Sequence, residues 1–149
     1  MKYLFVLFLF AVISLNAKSQ TASDSVKAAV NELFTAMKTS DSVLLVGCFA
    51  DSAVLQTIGR NKEKLLVKNE SVKEFASSVA KAPKGSLDER IVFDMVKIDG
   101  VLASVWTPYS FYYKGNFSHC GVNSFQLIKT DKGWKIQCLI DTRRKSGCN

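Results

Sequence analysis

Apolar residues along this chain change their spacing twice, and each change marks a different kind of segment. Leu4 to Leu15 is an almost unbroken apolar run behind the basic start Met1-Lys2-Tyr3. It is too short for a bilayer-spanning helix of about 20 residues and has the length of a signal-peptide core. Ala17 and Ser19 occupy the small-residue positions that predict cleavage before Gln20. Val26, Val30, Leu33, Phe34 and Met37 then form a single helical stripe, which predicts an amphipathic helix from Thr21 to Lys38 opened by Ser23, Asp24 or Ser25. Thr39 to Ser42 breaks and recaps, Val43 to Val46 makes a second short helix, and Gly47 ends it. Ala53–Ile58 and Lys64–Val67 read as short strands around the polar turn Gly59-Arg60-Asn61. Ser71 and Glu74 have capping-box spacing, with Val72, Phe75, Ala76 and Val79 on one face of a third helix that Pro83-Lys84-Gly85 stops.

From Leu87 the period becomes that of strands. Arg90–Ile98 meets Val101–Tyr113 through Asp99-Gly100, a strong hairpin signal. Lys114-Gly115-Asn116 and Asp131-Lys132-Gly133 turn the chain into two further strands, Phe117–Lys129 and Trp134–Thr142. Helices first and a strand meander afterwards indicate the α+β class.

Removing residues 1–19 leaves 130 of the 149 residues, enough for one domain with its own core (20–149) and too few for two. Loss of Lys2 and Lys18 lowers the net charge from +7 to +5. The basic residues are scattered, without the dense run or module of a nucleic-acid binder, so no nucleic-acid partner is expected. No membrane partner is expected after cleavage, and the expected location is secreted or periplasmic.

The chain resembles the nuclear transport factor 2-like superfamily, which includes polyketide cyclases, ketosteroid isomerases and many uncharacterised secreted bacterial proteins. The resemblance spans the mature chain. It rests on the amphipathic first helix, on Cys48-Phe49-Ala50-Asp51-Ser52-Ala53-Val54 leading into the first strand, and on Gly133-Trp134-Lys135-Ile136 opening the last. Val105-Trp106-Thr107-Pro108-Tyr109, His119-Cys120-Gly121 and Asp141-Thr142-Arg143-Arg144 resemble one secreted subgroup. The resemblance implies a curved antiparallel sheet wrapped around three helices, a cone with a pocket, and homodimers through the outer sheet face. The fold hosts enzymes, binding modules and dimerisation domains alike, so it does not select a function.

In this family the last strand points its Trp134 and Ile136 to the core, and alternation then sends Cys138, Ile140 and Thr142 inward. Across the ladder Phe125, Asn123, Gly121 and His119 follow, then Val105, Thr107, Tyr109 and Phe111, then Asp94 and Arg90; a bulge would flip the parity beyond it. His119, the only histidine, suits acid–base work and pairs with Asp94 as the catalytic candidates. Asp94 resembles the acidic base of cyclase and isomerase relatives in strand position only, and both residues have structural alternatives. Tyr109, Thr107, Phe111, Asn123, Thr142 and Trp106 are the candidate pocket residues for a small apolar or aromatic ligand, although alternation sends Trp106 and Tyr112 to the other face. Asp141, Arg143 and Arg144 form a charged cluster that either pairs internally or receives an anion. One histidine and no Cys-x-x-Cys spacing give no metal site and no cofactor.

Four cysteines in an exported chain predict pairing with three possible connectivities. The register places Cys120 opposite Arg143 and facing outward, where the tail carrying Cys148 can fold back. Cys138 lies inward opposite Phe125. The expected bond is Cys120–Cys148, with Cys48 and Cys138 free. The functional expectation is a small-molecule-binding domain without demonstrable catalysis. The alternatives are a cyclase- or isomerase-like enzyme using proton transfer and a dimerisation or protein-interaction module.

Overall fold

The computed structural model describes residues 21–61 and 64–148. The expected leader, residues 1–19, and the expected cleavage site lie outside the described residues. Helix α1 (Ala22–Thr39) is capped by Thr21, whose hydroxyl accepts from the Asp24 amide while the Asp24 carboxylate reaches back, a reciprocal box two positions ahead of the first expected cap, Ser23. Ser40 ends it in the left-handed conformation (φ 57°). Asp41 then caps the short α2 (Ser42–Gly47). Helix α3 (Val72–Lys81) carries the expected Ser71–Glu74 box.

Seven strands form one curved, unclosed sheet: β1 (Phe49–Asn61), β2 (Lys64–Glu70), β3 (Leu87–Ile91), β4 (Met95–Asp99), β5 (Leu102–Tyr113), β6 (Asn116–Thr130) and β7 (Gly133–Thr142). The order is β2-β1-β7-β6-β5-β3, with β4 following β3's edge of β5. One ladder, β1 with β7, is parallel, so the sheet is mixed where the sequence suggested antiparallel pairing throughout. Residues 59–61, expected as a turn, are instead the end of a long β1 that pairs Asn61 with Lys64.

The expected strand Arg90–Ile98 divides in two. Val92, Phe93 and Asp94 leave the ladder between β3 and β4, and one residue of register is lost: β4 pairs Val96 with Val105, whereas β3 pairs Ile91 with Tyr109 and Glu89 with Phe111. The break sits opposite Pro108. The Pro108 carbonyl accepts from the Val92 amide (3.0 Å), so its hydrogen-less nitrogen faces the same neighbour and cannot complete the ladder there. A second irregularity falls in β7, where Gln137 is extra between the Leu127–Ile136 and Gln126–Cys138 pairs.

The concave face packs on the helices through Val26, Val30, Leu33, Leu45, Val105, Phe125, Leu127 and Ile136, all essentially buried. Lys135 donates to the Gly47 carbonyl and Trp134 Nε1 to Ser25 (3.2 Å), tying the start of β7 to both ends of the helical layer. No described helix is long and apolar enough to cross a membrane.

The Cys120–Cys148 disulfide is present, with Cα atoms 5.8 Å apart, and Cys48 and Cys138 are free. The tail returns as expected, one residue out of the anticipated register: Cys120 exchanges both backbone hydrogen bonds (2.9 Å) with Arg144 rather than with Arg143. Cys138 departs from expectation. The extra Gln137 turns it away from the core, opposite Gln126, and gives the inward place opposite Phe125 to Leu139.

Candidate functional site

Between the concave sheet face and helices α1 and α3 lies a cavity of about 260 Å³. Its walls follow from the two periodicities of the chain. Leu33, Phe34 and Met37 sit on one stripe of α1, and Phe75 and Val79 on one stripe of α3. Mostly alternate residues of the strands supply the sheet side, among them Leu55 and Thr57 of β1, Leu87 and Glu89 of β3, Phe111 of β5, Asn123 and His119 of β6, and Leu139, Asp141 and the following Arg143 of β7. The helical side is apolar and the far end of the sheet is polar.

That polar end is a connected set. Glu89 accepts a hydrogen bond from the Asn123 amide (Oε1 to Nδ2, 2.8 Å). Burial pushes the Glu89 carboxyl up to about 7, and the Asp141 charge adds to the rise, against the lowering effect of the Asn123 bond and of Arg143. Asp141 is paired with Arg143 (Oδ2 to Nε, 2.9 Å), and Arg143 Nη2 also reaches the Thr57 hydroxyl (3.3 Å). The Tyr109 hydroxyl donates to the Thr142 carbonyl (2.9 Å) and lies 3.4 Å from Asp141. Burial, then the Asp141 and Glu89 charges, hold its ionisation far above the usual tyrosine range.

Tyr109 reaches across only because its cross-strand partner is Gly121. A Cβ there would stand 1.8 Å from the Thr142 carbonyl oxygen and 2.8 Å from the Tyr109 ring, so this position admits no side chain without displacing the site's backbone. His119 stacks on Phe111 (5.0 Å between centroids) and meets Tyr109 edge-on (5.7 Å), while its Nδ1 lies 3.1 Å from the Ser118 hydroxyl. Burial first, then the Arg143 and Lys145 charges, lower its basicity, partly offset by Asp141, so the neutral ring predominates at pH 7.

Of the residues singled out from sequence, His119, Phe111, Asn123, Asp141 and Arg143 line this cavity. Tyr109 is buried behind its wall, and Thr107 is fully buried with a hydroxyl that has no partner among the described residues. Asp94 does not take part: it lies exposed in the break between β3 and β4, because the slip at Pro108 removes it from the ladder. The same slip turns Arg90 outward onto the Tyr112 ring (4.1 Å). Trp106 is 41% exposed on the outer face, as its alternation required, and is not a pocket residue. Thr142 also stays outside the cavity. The extra residue at Gln137 gives its inward place to Asp141, and the Thr142 hydroxyl instead accepts from the Val122 amide (3.2 Å). Arg144 turns to the Gly147 carbonyl (3.2 Å), away from Asp141 and Arg143.

Sequence reading missed Glu89, the acid that the site sets against the Asn123 amide. The signal in the sequence is Pro108, which marks that a neighbouring strand is interrupted there without saying which of Glu89 and Arg90 turns inward. Among the described residues no three His, Cys, Asp or Glu side chains converge as a metal-binding group.

No protein-family model matches the sequence, and no curated protein matches it. Solved structures do. An NTF2-like protein of unknown function from Shewanella baltica OS155 superposes with a TM-score of 0.65 at 15% identity, over 82% of this chain and 93% of the other. A domain of unknown function with a cystatin-like fold from Nostoc punctiforme PCC 73102 gives 0.64 at 19% identity, over 87% and 82%. A candidate dehydratase of the NTF2-like family from Streptomyces avermitilis gives 0.60 at 16% identity, over 81% and 95%. At these identities the likeness carries the fold: this chain has the NTF2-like cone.

Proposed function

We propose that this NTF2-like cone binds a small organic molecule in the cavity between its sheet and its helices. The observation that carries the reading is the division of that cavity into an apolar helical side and a hydrogen-bonded polar end built on Glu89, Asn123, Asp141 and Arg143. An apolar body fits the first and a polar group the second. Ligand-observed NMR with a library of ring-bearing fragments tests it. Several fragments should bind, and Ser78→Trp, which fills the cavity rim from α3, should abolish their signals. Absence of any binding at millimolar fragment concentration would end the proposal.

A second reading, proton transfer on the bound molecule, is favoured by one observation: the Glu89 carboxyl in the cavity wall is held only by the neutral Asn123 amide, and burial pushes it up to about 7, where a carboxyl both accepts and returns a proton. In this reading Glu89 takes the role that the sequence assigned to Asp94, with His119 on the wall of the same cavity across Phe111. Deuterium uptake from solvent into a bound carbon acid, lost in Glu89→Gln, would support it over simple binding.

The protein is further proposed to be exported and to work as a homodimer. The leader pattern and the Cys120–Cys148 bond support export. Exposed Leu102, Trp106 and Phe117 on the meander support association through the sheet, which sedimentation at micromolar concentrations reads directly.

A further inference from the structure

Resting on the reading that the cavity binds a small molecule, we infer that its preferred ligand is a cation: a ring-sized apolar amine whose ammonium group meets the free oxygen of Glu89. The carboxylates around the sheet end differ in how they are neutralised. Asp88 is held by Lys38 (2.8 Å) and Arg90 (2.9 Å), and Asp141 by Arg143 (2.9 Å). Glu89 has only the neutral Asn123 amide on Oε1, and its Oε2 has no partner among the described residues. Glu70, at the β2 side of the same cavity, likewise has no ion pair among the described residues.

Among the described residues the lining therefore holds Glu70, Glu89 and Asp141 against one cation, Arg143, which is already committed to Asp141. This acidic excess is local, since the whole chain carries a net charge of +7. An anionic ligand would have to detach Arg143 from Asp141 and then sit beside Glu89. A neutral ligand leaves Glu89 to hold a proton. An ammonium group replaces that proton, and a charge-assisted bond to a carboxylate is about twice as strong as a neutral one. The ring would lie between Phe34, Phe75 and Phe111, in a volume of about 260 Å³.

The groups sharing the cavity with Glu89 are Asp141 and Arg143 from β7, Asn123 and His119 from β6, Tyr109 behind the wall from β5 and Glu70 from β2; α1 and α3 present only apolar side chains and Ser78. His119 is lowered and Tyr109 strongly raised, so neither titrates between pH 7 and 8. With Glu89 near 7, the fraction ready for a cation rises about tenfold from pH 6 to pH 8.

Isothermal titration of the purified protein with benzylamine, benzyl alcohol and benzoate at pH 6, 7 and 8 tests this. Benzylamine should bind about tenfold more tightly than benzyl alcohol at pH 8 and tighten about tenfold from pH 6, with benzyl alcohol nearly constant. Glu89→Gln should erase both the amine's advantage over the alcohol and the pH dependence, read as the ratio of the two affinities in the same variant. Equal binding of amine and alcohol, or tighter binding of benzoate, overturns the cation preference while the cavity still binds. Loss of all three ligands, in a folded protein, overturns the binding reading and this inference with it.

Discussion

The two ends of the concave sheet face are built from the same three strands and differ in almost every physical respect. At the filled end, Ala103 and Val105 of β5, Leu127 and Phe125 of β6, and Trp134 and Ile136 of β7 close against α1 with no polar side chain among them. Further along each strand, Phe111, Asn123, His119, Leu139 and Asp141 surround open volume. The filled end keeps the register that its turns set. The open end lies beyond a slip in each flanking ladder, at Pro108 between β4 and β3 and at Gln137 in β7. Each slip exchanges which residue of a pair turns inward, and in both cases an acid is brought in: Glu89 rather than Arg90, Asp141 rather than Thr142. Bulges thus convert the continuation of a hydrophobic core into a polar pocket without changing the strands that carry it.

The sharpest way to break this contrast is to cut into the filled end. Phe125→Ala removes a ring with no exposed surface and should destabilise the protein by about 3–5 kcal/mol in urea denaturation. A loss below 1 kcal/mol would mean that this end is as loosely filled as the other.

The open end depends on the tail. Cys148→Ser frees the segment that Cys120 holds through the disulfide and the Arg144 pairing. Opening this loop, closed across a separation of 28 residues, should cost about 3–4 kcal/mol, again by denaturation. It should also weaken any fragment bound in the cavity, because Arg143 lies between Asp141 and the released residues. Unchanged stability in the oxidised parent and the variant would remove the tail from the comparison.

The smallest effect is also the most selective. Glu89 ionises near 4.5 when unfolded and near 7 when folded, so the unfolded chain gives up its proton first as pH rises. Its penalty is absent below about pH 4.5, grows between 4.5 and 7, and then levels at up to about 3 kcal/mol. Glu89→Gln should therefore match the parent at pH 4.5 and exceed it by about 2 kcal/mol at pH 8. A stability difference that does not change with pH would show that Glu89 is not desolvated. No such pH-dependent gain is expected from the filled end, whose side chains carry no charge.

Local chemistry was sufficient for most of the architecture. The stripe from Val26 to Met37, the Ser71–Glu74 box, and the turns at Asp99-Gly100, Lys114-Gly115 and Lys132-Gly133 each act within a few residues, so the helices and hairpins were legible in the sequence, as was the register next to Lys132-Gly133. The Cys120–Cys148 pairing was legible too, because one turn fixes how far the tail must return. The parallel ladder of β1 on β7 was not, since it joins strands more than seventy residues apart and no local signal names the partner. Nor was the inward turn of Glu89 and Asp141, which follows from single-residue slips whose cost is settled across neighbouring strands. Pro108 shows the limit: its missing N–H is visible in the sequence, but which neighbour lacks that hydrogen bond, and which acid is consequently buried, is decided only when β3, β4 and β5 lie side by side.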